Sequence, residues 1–344
     1  MNIVDVISAT QEFEEQYRGA ENDPDKATAF WNTYNENPHD LLLKHQYDAL
    51  RERMFTLLRA CKKTDPAVYE GIHKGHPYFF IGITSYRLGD YQTAISFFDA
   101  ALSEDLSIHD EKERPTHLFF LLKGDDPRNA ARQDTRYVQT KVERAIGQYK
   151  EAIASNEDIP DFDIQDLRDV FVRHVLSHES DLGLRTLLTA LMTFVVEWDF
   201  RNEHYDLGVK KGTAEPLFTH LFRGCVLFES LLKRNPFPKP EHEDQNGALG
   251  KLITYYKSEM NLDLPGDLSS KKSGVTSFED LLIKIPSLNI EITDSVLVAF
   301  WLRNVLGHSL AWNVDLDQDS YRKLYLAVIT ACIHVINCLW RDSH

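Results

Sequence analysis

Arg303, Asn304 and His308 fall within six residues of an otherwise apolar stretch, TDSVLVAFWLRNVLGHSLAW, from Thr293 to Trp312. At helical spacing Asn304 and His308 are i and i+4 and lie one above the other on one face. Arg303 is about 100° round from Asn304, but its long stem can carry the guanidinium to the same edge. Guanidinium binds phosphate oxygens bidentately and stabilises charge that builds in a transition state. Histidine is the natural proton shuttle near neutral pH. Arginine plus histidine without metal ligands therefore suits a phosphodiester. In RNA the 2′-hydroxyl supplies an internal nucleophile, so neither a metal nor a covalent enzyme intermediate is required. Gly307, four residues after Arg303, costs about 1 kcal/mol relative to alanine inside a helix, which implies that something packs closely there. A second copy of the same helix would serve.

The elements that must position this hexad all read as helices. Leu41–Cys61 carries Leu43, Tyr47, Leu50, Met54, Leu57 and Leu58 as one apolar stripe. Gly75–Asp105 reads as two helical stripes meeting at the tight turn Leu88-Gly89-Asp90-Tyr91, with small Gly82, Ala94 and Ala101 where two antiparallel helices approach. Lys123–Pro127 is a turn rather than a phosphate loop, because no GKS or GKT follows. Asp134–Ser155 is amphipathic, and the acidic, Pro160-bearing stretch 156–166 is where a domain boundary is expected, dividing 1–160 from 161–344. Leu184–Phe200 is apolar nearly all round, as suits a bundle centre or a subunit interface. Leu217–Leu232 and Gly247–Met260 follow, then a polar loop at 262–274. The hexad helix, capped by Thr293 or Asp294, and a last helix, Tyr321–Trp340, close the chain. No stretch alternates at period two, so the expected fold class is all-α.

Composition excludes several functions. The 344 residues carry 38 basic and 53 acidic side chains, net −15, which argues against a non-specific nucleic-acid coat with a broad basic face. The charge is uneven: residues 1–179 sum to −11 and residues 180–344 to −4, so the C-terminal half is less hostile to a polyanion. The four cysteines form no C-x-x-C pair and read as buried free thiols. The histidines lack ligand spacing, so neither metal nor cofactor is expected. No unbroken apolar run is long enough to span a bilayer, and the N-terminal MNIVDVISATQEFEEQ lacks a signal-peptide pattern. A cytoplasmic protein without membrane attachment is expected.

Two resemblances sharpen this reading. Gly82, Gly89, Tyr91, Ala94, Phe98 and Ala101 fall where a tetratricopeptide repeat has its characteristic residues, although Leu106 stands where the terminal proline is usual. No second clean copy follows, so the neighbours are either degenerate repeats or one hairpin of an irregular bundle. R-N-V-L-G-H (Arg303, Asn304, His308) resembles the R-x4-6-H motif of HEPN domains, the higher eukaryotes and prokaryotes nucleotide-binding superfamily, over roughly residues 180–344. That resemblance implies a dimer whose two motifs form one cleft. It also implies metal-independent cleavage of single-stranded RNA to 2′,3′-cyclic phosphate and 5′-hydroxyl ends, often as a toxin or antiviral defence effector.

Competing readings stand beside it. Arg303 and His308 can be an interhelical ion pair and a capped histidine, in a silent HEPN-like and tetratricopeptide-like interaction module that takes a protein partner at the N-terminal helices. A helical toxin-neutralising partner that mimics nucleic acid with its N-terminal acids is a third. Arg201-Asn202-Glu203-His204 looks similar to the motif but is one residue too short, and reads as the polar end of the Leu184–Phe200 helix. Glu197 and Asp199 are candidates for holding an arginine. Lys210-Lys211 and Lys271-Lys272 read as solvated loop charges.

Overall fold

The computed structural model describes residues 38–64, 66–71, 73–108, 132–177, 182–206, 214–238, 248–264, 268, 275–287, 291–308 and 315–341. Among these every regular element is helical, so the all-α expectation holds. The chain divides into two compact units, Met1–Thr135 and Arg136–His344.

In the first unit, α1 (Pro38–Leu43), α2 (Tyr47–Thr64), α3 (Pro66–Gly71), α4 (Gly75–Arg87) and α5 (Tyr91–Ile108) follow in order. The single helix expected over 41–61 is broken in two. His45 takes a left-handed φ of 57°, Gln46 N–H bonds back to the Leu41 carbonyl, and the His45 Nδ1–Tyr47 hydroxyl contact of 2.6 Å braces the corner. The hairpin expected over 75–105 is present. Gly89 supplies the positive φ of 79° at its turn, and Asp90 N–H closes it on the Ser85 carbonyl. A Cβ on Gly82 would lie 2.6 Å from the Phe98 ring, so the absence of a side chain is what lets α4 and α5 pack closely. Leu50, Met54, Leu58, Phe80 and Ile81 form the core where α2 meets this pair.

The second unit contains α6 (Arg132–Ile153, from Arg136 onward), α7 (Ile164–Ser177), α8 (Leu182–Asp206), α9 (Glu215–Arg234), α10 (Leu249–Tyr255), α11 (Phe278–Lys284), α12 (Ile292–His308) and α13 (Gln318–Leu339). The unit thus begins ahead of the boundary expected near residue 160. The reason is in α6: Tyr149 is fully buried and bonded to His334 and Asn337 of α13. The hexad lies in the penultimate helix and α13 closes the bundle. α12 begins at Ile292, so Thr293 and Asp294 sit in its first turn rather than capping it. The stretches 109–131 and most of 262–274 fall outside the described residues.

α13 is the axis of this unit. α12 and α9 pack along it, and α8 and α7 touch it. It is long and apolar enough to cross a membrane by length and composition alone, yet 78% of its most apolar window is buried against protein, as a core helix requires. Asp317 caps it, accepting from Ser320 N–H at 2.8 Å. Of the polar groups it buries, Thr330 Oγ1 has no partner among the described residues, while Tyr321, His334 and Asn337 are paired in two similar chains. The His334 Nε2–H donates to the Met260 carbonyl at 2.7 Å, leaving Nδ1 to accept from the Tyr149 hydroxyl at 3.1 Å. Asn337 completes that chain by donating to Tyr149 Oη and to the Pro160 carbonyl. In the other, His220 Nε2–H donates to the Phe194 carbonyl at 2.9 Å, and its Nδ1 accepts from Tyr321 at 2.8 Å.

Two expected outcomes follow from this packing. A Cβ at Gly224 of α9 would overlap Phe194 of α8 and come within 2.8 Å of Val328 of α13. Gly224→Ala should therefore lower stability by about 1–3 kcal/mol through overpacking; an unchanged urea midpoint would refute it. Burial holds His220 at about 3, with Arg201 and Arg223 adding to the effect, and His334 at about 4. The unfolded chain takes up protons near pH 6.5 that the folded chain refuses, so stability is present above that pH and lost as pH falls below it. Two such histidines imply a loss of roughly 4 kcal/mol between pH 7 and pH 5, read as a falling melting temperature. A flat profile over that interval would contradict the buried neutral pair.

Candidate functional site

α12 is apolar on the sides that face α13 and α9: Val296, Ala299, Leu302, Val305 and Leu306 are buried. Its last two turns bring three polar side chains to the edge of that packing. Asn304 is half-buried, and His308, the last helical residue, is exposed. Among the described residues neither side chain has a hydrogen-bond partner. Asn304 and His308 share a face, as the i, i+4 spacing requires.

Arg303 is held from α9. Its Nε donates to Glu229 Oε2 at 2.6 Å, and its guanidinium carbon lies 5.6 Å from the centre of the Phe222 ring, within range of a cation–π contact. Glu229 also receives Lys233 Nζ on its other oxygen at 2.6 Å. Burial alone would raise the Glu229 carboxyl, but the hydrogen bonds from Lys233 and Arg303 outweigh it and hold the group below the ordinary carboxylate value. Two cations share one carboxylate, so the trio keeps one net positive charge. Nη1 and Nη2 of Arg303 have no hydrogen-bond partner among the described residues, and the side chain remains 29% exposed against 12% for Glu229.

Gly307 explains where that guanidinium goes. A Cβ built on Gly307 would clash with Arg303 Nη1. The space left by the missing side chain is thus filled by an arginine of the same helix, where the sequence suggested a neighbouring helix. Side chains on a helix ordinarily lean toward its N-terminus; this one runs forward by a turn. Its Nη edge therefore lies beside the turn that carries His308.

The other candidates have different partners. Glu197 accepts from Arg223 Nη1 at 3.0 and 3.2 Å and lies 3.7 Å from Arg201. Asp199 holds Lys141 and Arg144. Both acids do hold arginines, and neither holds Arg303. Asn202 accepts from Gln318 of α13, which makes Arg201-Asn202 part of the α8 packing; Lys210-Lys211 and Lys271-Lys272 lie outside the described residues. Cys61, Cys225 and Cys332 are buried free thiols and Cys338 is half-buried. Among the described residues no group of three His, Cys, Asp or Glu side chains could hold a metal ion.

Glu229, Lys233 and Phe222 are the site residues that sequence reasoning missed. A signal was there: Glu229 interrupts the apolar run VLFESLL four residues before Lys233, and an acid inside such a run needs a cation. Its second cation, 74 residues away in sequence, could not be read from spacing. Compared with protein-family models, curated proteins and solved structures, the chain finds no match.

Removing the carboxylate leaves Arg303 and Lys233 without their shared acceptor. Glu229→Ala should cost about 1.5–3 kcal/mol, the range for a hydrogen bond to a charged group. Chemical denaturation of the variant checks this, and a loss under about 0.5 kcal/mol would mean that the pair behaves as an ordinary surface ion pair.

Proposed function

We propose that the protein is a metal-independent endoribonuclease acting on single-stranded RNA, with Arg303, Asn304 and His308 as its catalytic residues. One observation carries this reading. Among the described residues Arg303 is hydrogen-bonded through Nε alone, and its two terminal nitrogens, without a hydrogen-bond partner there, lie in the helical turn that ends in the exposed His308. Tethering one edge of a guanidinium while leaving the other open suits recognition of a phosphate oxygen better than it suits a closed ion pair.

The reaction proceeds by in-line attack of the ribose 2′-oxygen on the adjacent phosphorus. The 2′-hydroxyl gives up its proton, the P–O5′ bond breaks, and a proton is delivered to the leaving 5′-oxygen. A 2′,3′-cyclic phosphate and a 5′-hydroxyl result. Arg303 neutralises the charge on the non-bridging oxygens, His308 moves a proton, and Asn304 orients the phosphate from the same face. One imidazole cannot both remove and deliver a proton in a single concerted step. The HEPN-like reading supplies the second from a homodimer in which two C-terminal units face each other. In that reading the N-terminal hairpins form a tetratricopeptide-like region that takes a protein partner, and the enzyme works in the cytoplasm as a toxin or antiviral defence effector.

A second reading rests on the same ion pair. Arg303–Glu229 joins α12 to α9, and a bundle that uses it only as a structural tie would be a silent interaction module. The two readings differ in an experiment. The ribonuclease cuts a fluorescent single-stranded RNA in EDTA, leaving 2′,3′-cyclic phosphate ends. Arg303→Ala and His308→Ala each lower the rate by at least about 100-fold, the range for losing an acid–base or oxyanion-stabilising group, with helicity retained. Cleavage that persists in the double variant, or none by the parent protein, would refute the assignment.

A further inference from the structure

We infer that Gly307 and Glu229 are positioning residues that aim Arg303 at a phosphodiester of bound RNA; the inference rests on the reading given under Proposed function. Three constraints act on one side chain. Glu229 Oε2 fixes Nε at 2.6 Å, the Phe222 ring lies against the guanidinium at 5.6 Å, and the bare Cα of Gly307 leaves the volume that Nη1 occupies. An arginine on a free helix surface samples many rotamers. Here the acid and the ring set the plane of the fork, and the glycine sets how far forward along α12 it reaches.

The Lys233 contact completes the arrangement. A lone glutamate would cancel the charge of the arginine it holds, and an anion would gain little by approaching. Lys233 on Oε1 draws on the same carboxylate, so the anchored fork still presents positive charge to an incoming phosphate. Glu229 thus orients Arg303 without neutralising the site.

Gly307 makes the inference testable, because its substitution separates positioning from folding. Gly307 is exposed near the end of α12, and alanine is the better helix former there. Gly307→Ala therefore keeps or raises the melting temperature while its methyl displaces Nη1. Binding is read with a single-stranded oligonucleotide carrying 2′-deoxyribose throughout, which lacks the nucleophile and cannot be cut by this chemistry; cleavage is read with the matching RNA in EDTA. For Gly307→Ala the expected result is a 10- to 100-fold fall in kcat, the size of a misplacement of about 1 Å, with weaker oligonucleotide binding and the Arg303 Nε–H resonance shifted in the NMR spectrum. Glu229→Gln, whose amide oxygen can still accept from Nε, retains more activity than Glu229→Leu. Parent-like binding, kcat and Nε–H shift in both Gly307→Ala and Glu229→Leu overturn the inference. A parent protein that binds the deoxy oligonucleotide through Arg303, and loses that binding in Gly307→Ala, yet cuts no RNA, upholds the positioning and refutes the ribonuclease reading. A parent protein that neither binds nor cuts overturns both.

Discussion

A helix with hardly any solvent-facing side must find a partner inside the protein for most of the polar atoms it carries, and α13 imposes that condition on the second unit. Its apolar residues set where α9 and α12 lie. Its His334, Asn337 and Tyr321 then select from α6, α9 and the 256–264 turn the groups that can satisfy them. An unpaired buried donor or acceptor costs about 1–3 kcal/mol, enough to reject packings that leave these groups unsatisfied. The two Tyr–His–carbonyl chains therefore act as registry devices, fixing which turn of α13 meets which neighbour. Neutral imidazole fits this role because one ring nitrogen donates while the other accepts.

Placement of the site follows from that registry. α9 must come close to both α8 and α13, and Gly224 permits it. With α9 seated there, Glu229 is carried to the edge where α9 meets α12, within reach of Arg303. Burial raises this carboxyl, and the hydrogen bonds from Lys233 and Arg303 outweigh that and hold it low. The polar site is thus an outcome of core packing less than two turns away on α9. The contrast with Glu197 is instructive, since that acid sits in the same bundle and also holds two arginines. It differs in its histidine: His220, which feels both of those arginines, is buried and paired inside the bundle, whereas His308 is exposed.

Much of the fold was legible in the chain. The hairpin over 75–105 could be read because Gly89, Gly82 and the bulky residues around them encode a turn and a close approach within 31 residues. Helical periodicity located α9, α12 and α13 to within a few residues for the same local reason. The break at His45 escaped notice because periodicity continues through it; only a left-handed residue stops the helix. The unit boundary escaped as well. The acidic stretch 156–166 looks like a linker in composition, but α6 before it is tied to α13 through Tyr149.

At the site, the sequence by itself determined which side chains are on α12 and their spacing: Arg303, Asn304 and His308 along the last two turns, with a glycine where a side chain would block the way. These are properties of a helix and need no neighbours. Tertiary structure alone decided that Glu229 holds the arginine and that the guanidinium, rather than another helix, fills the space over Gly307. Such contacts depend on how two helices distant in sequence are packed, and that packing is set by the burial of α13 and the pairing of its polar groups, which no local pattern records.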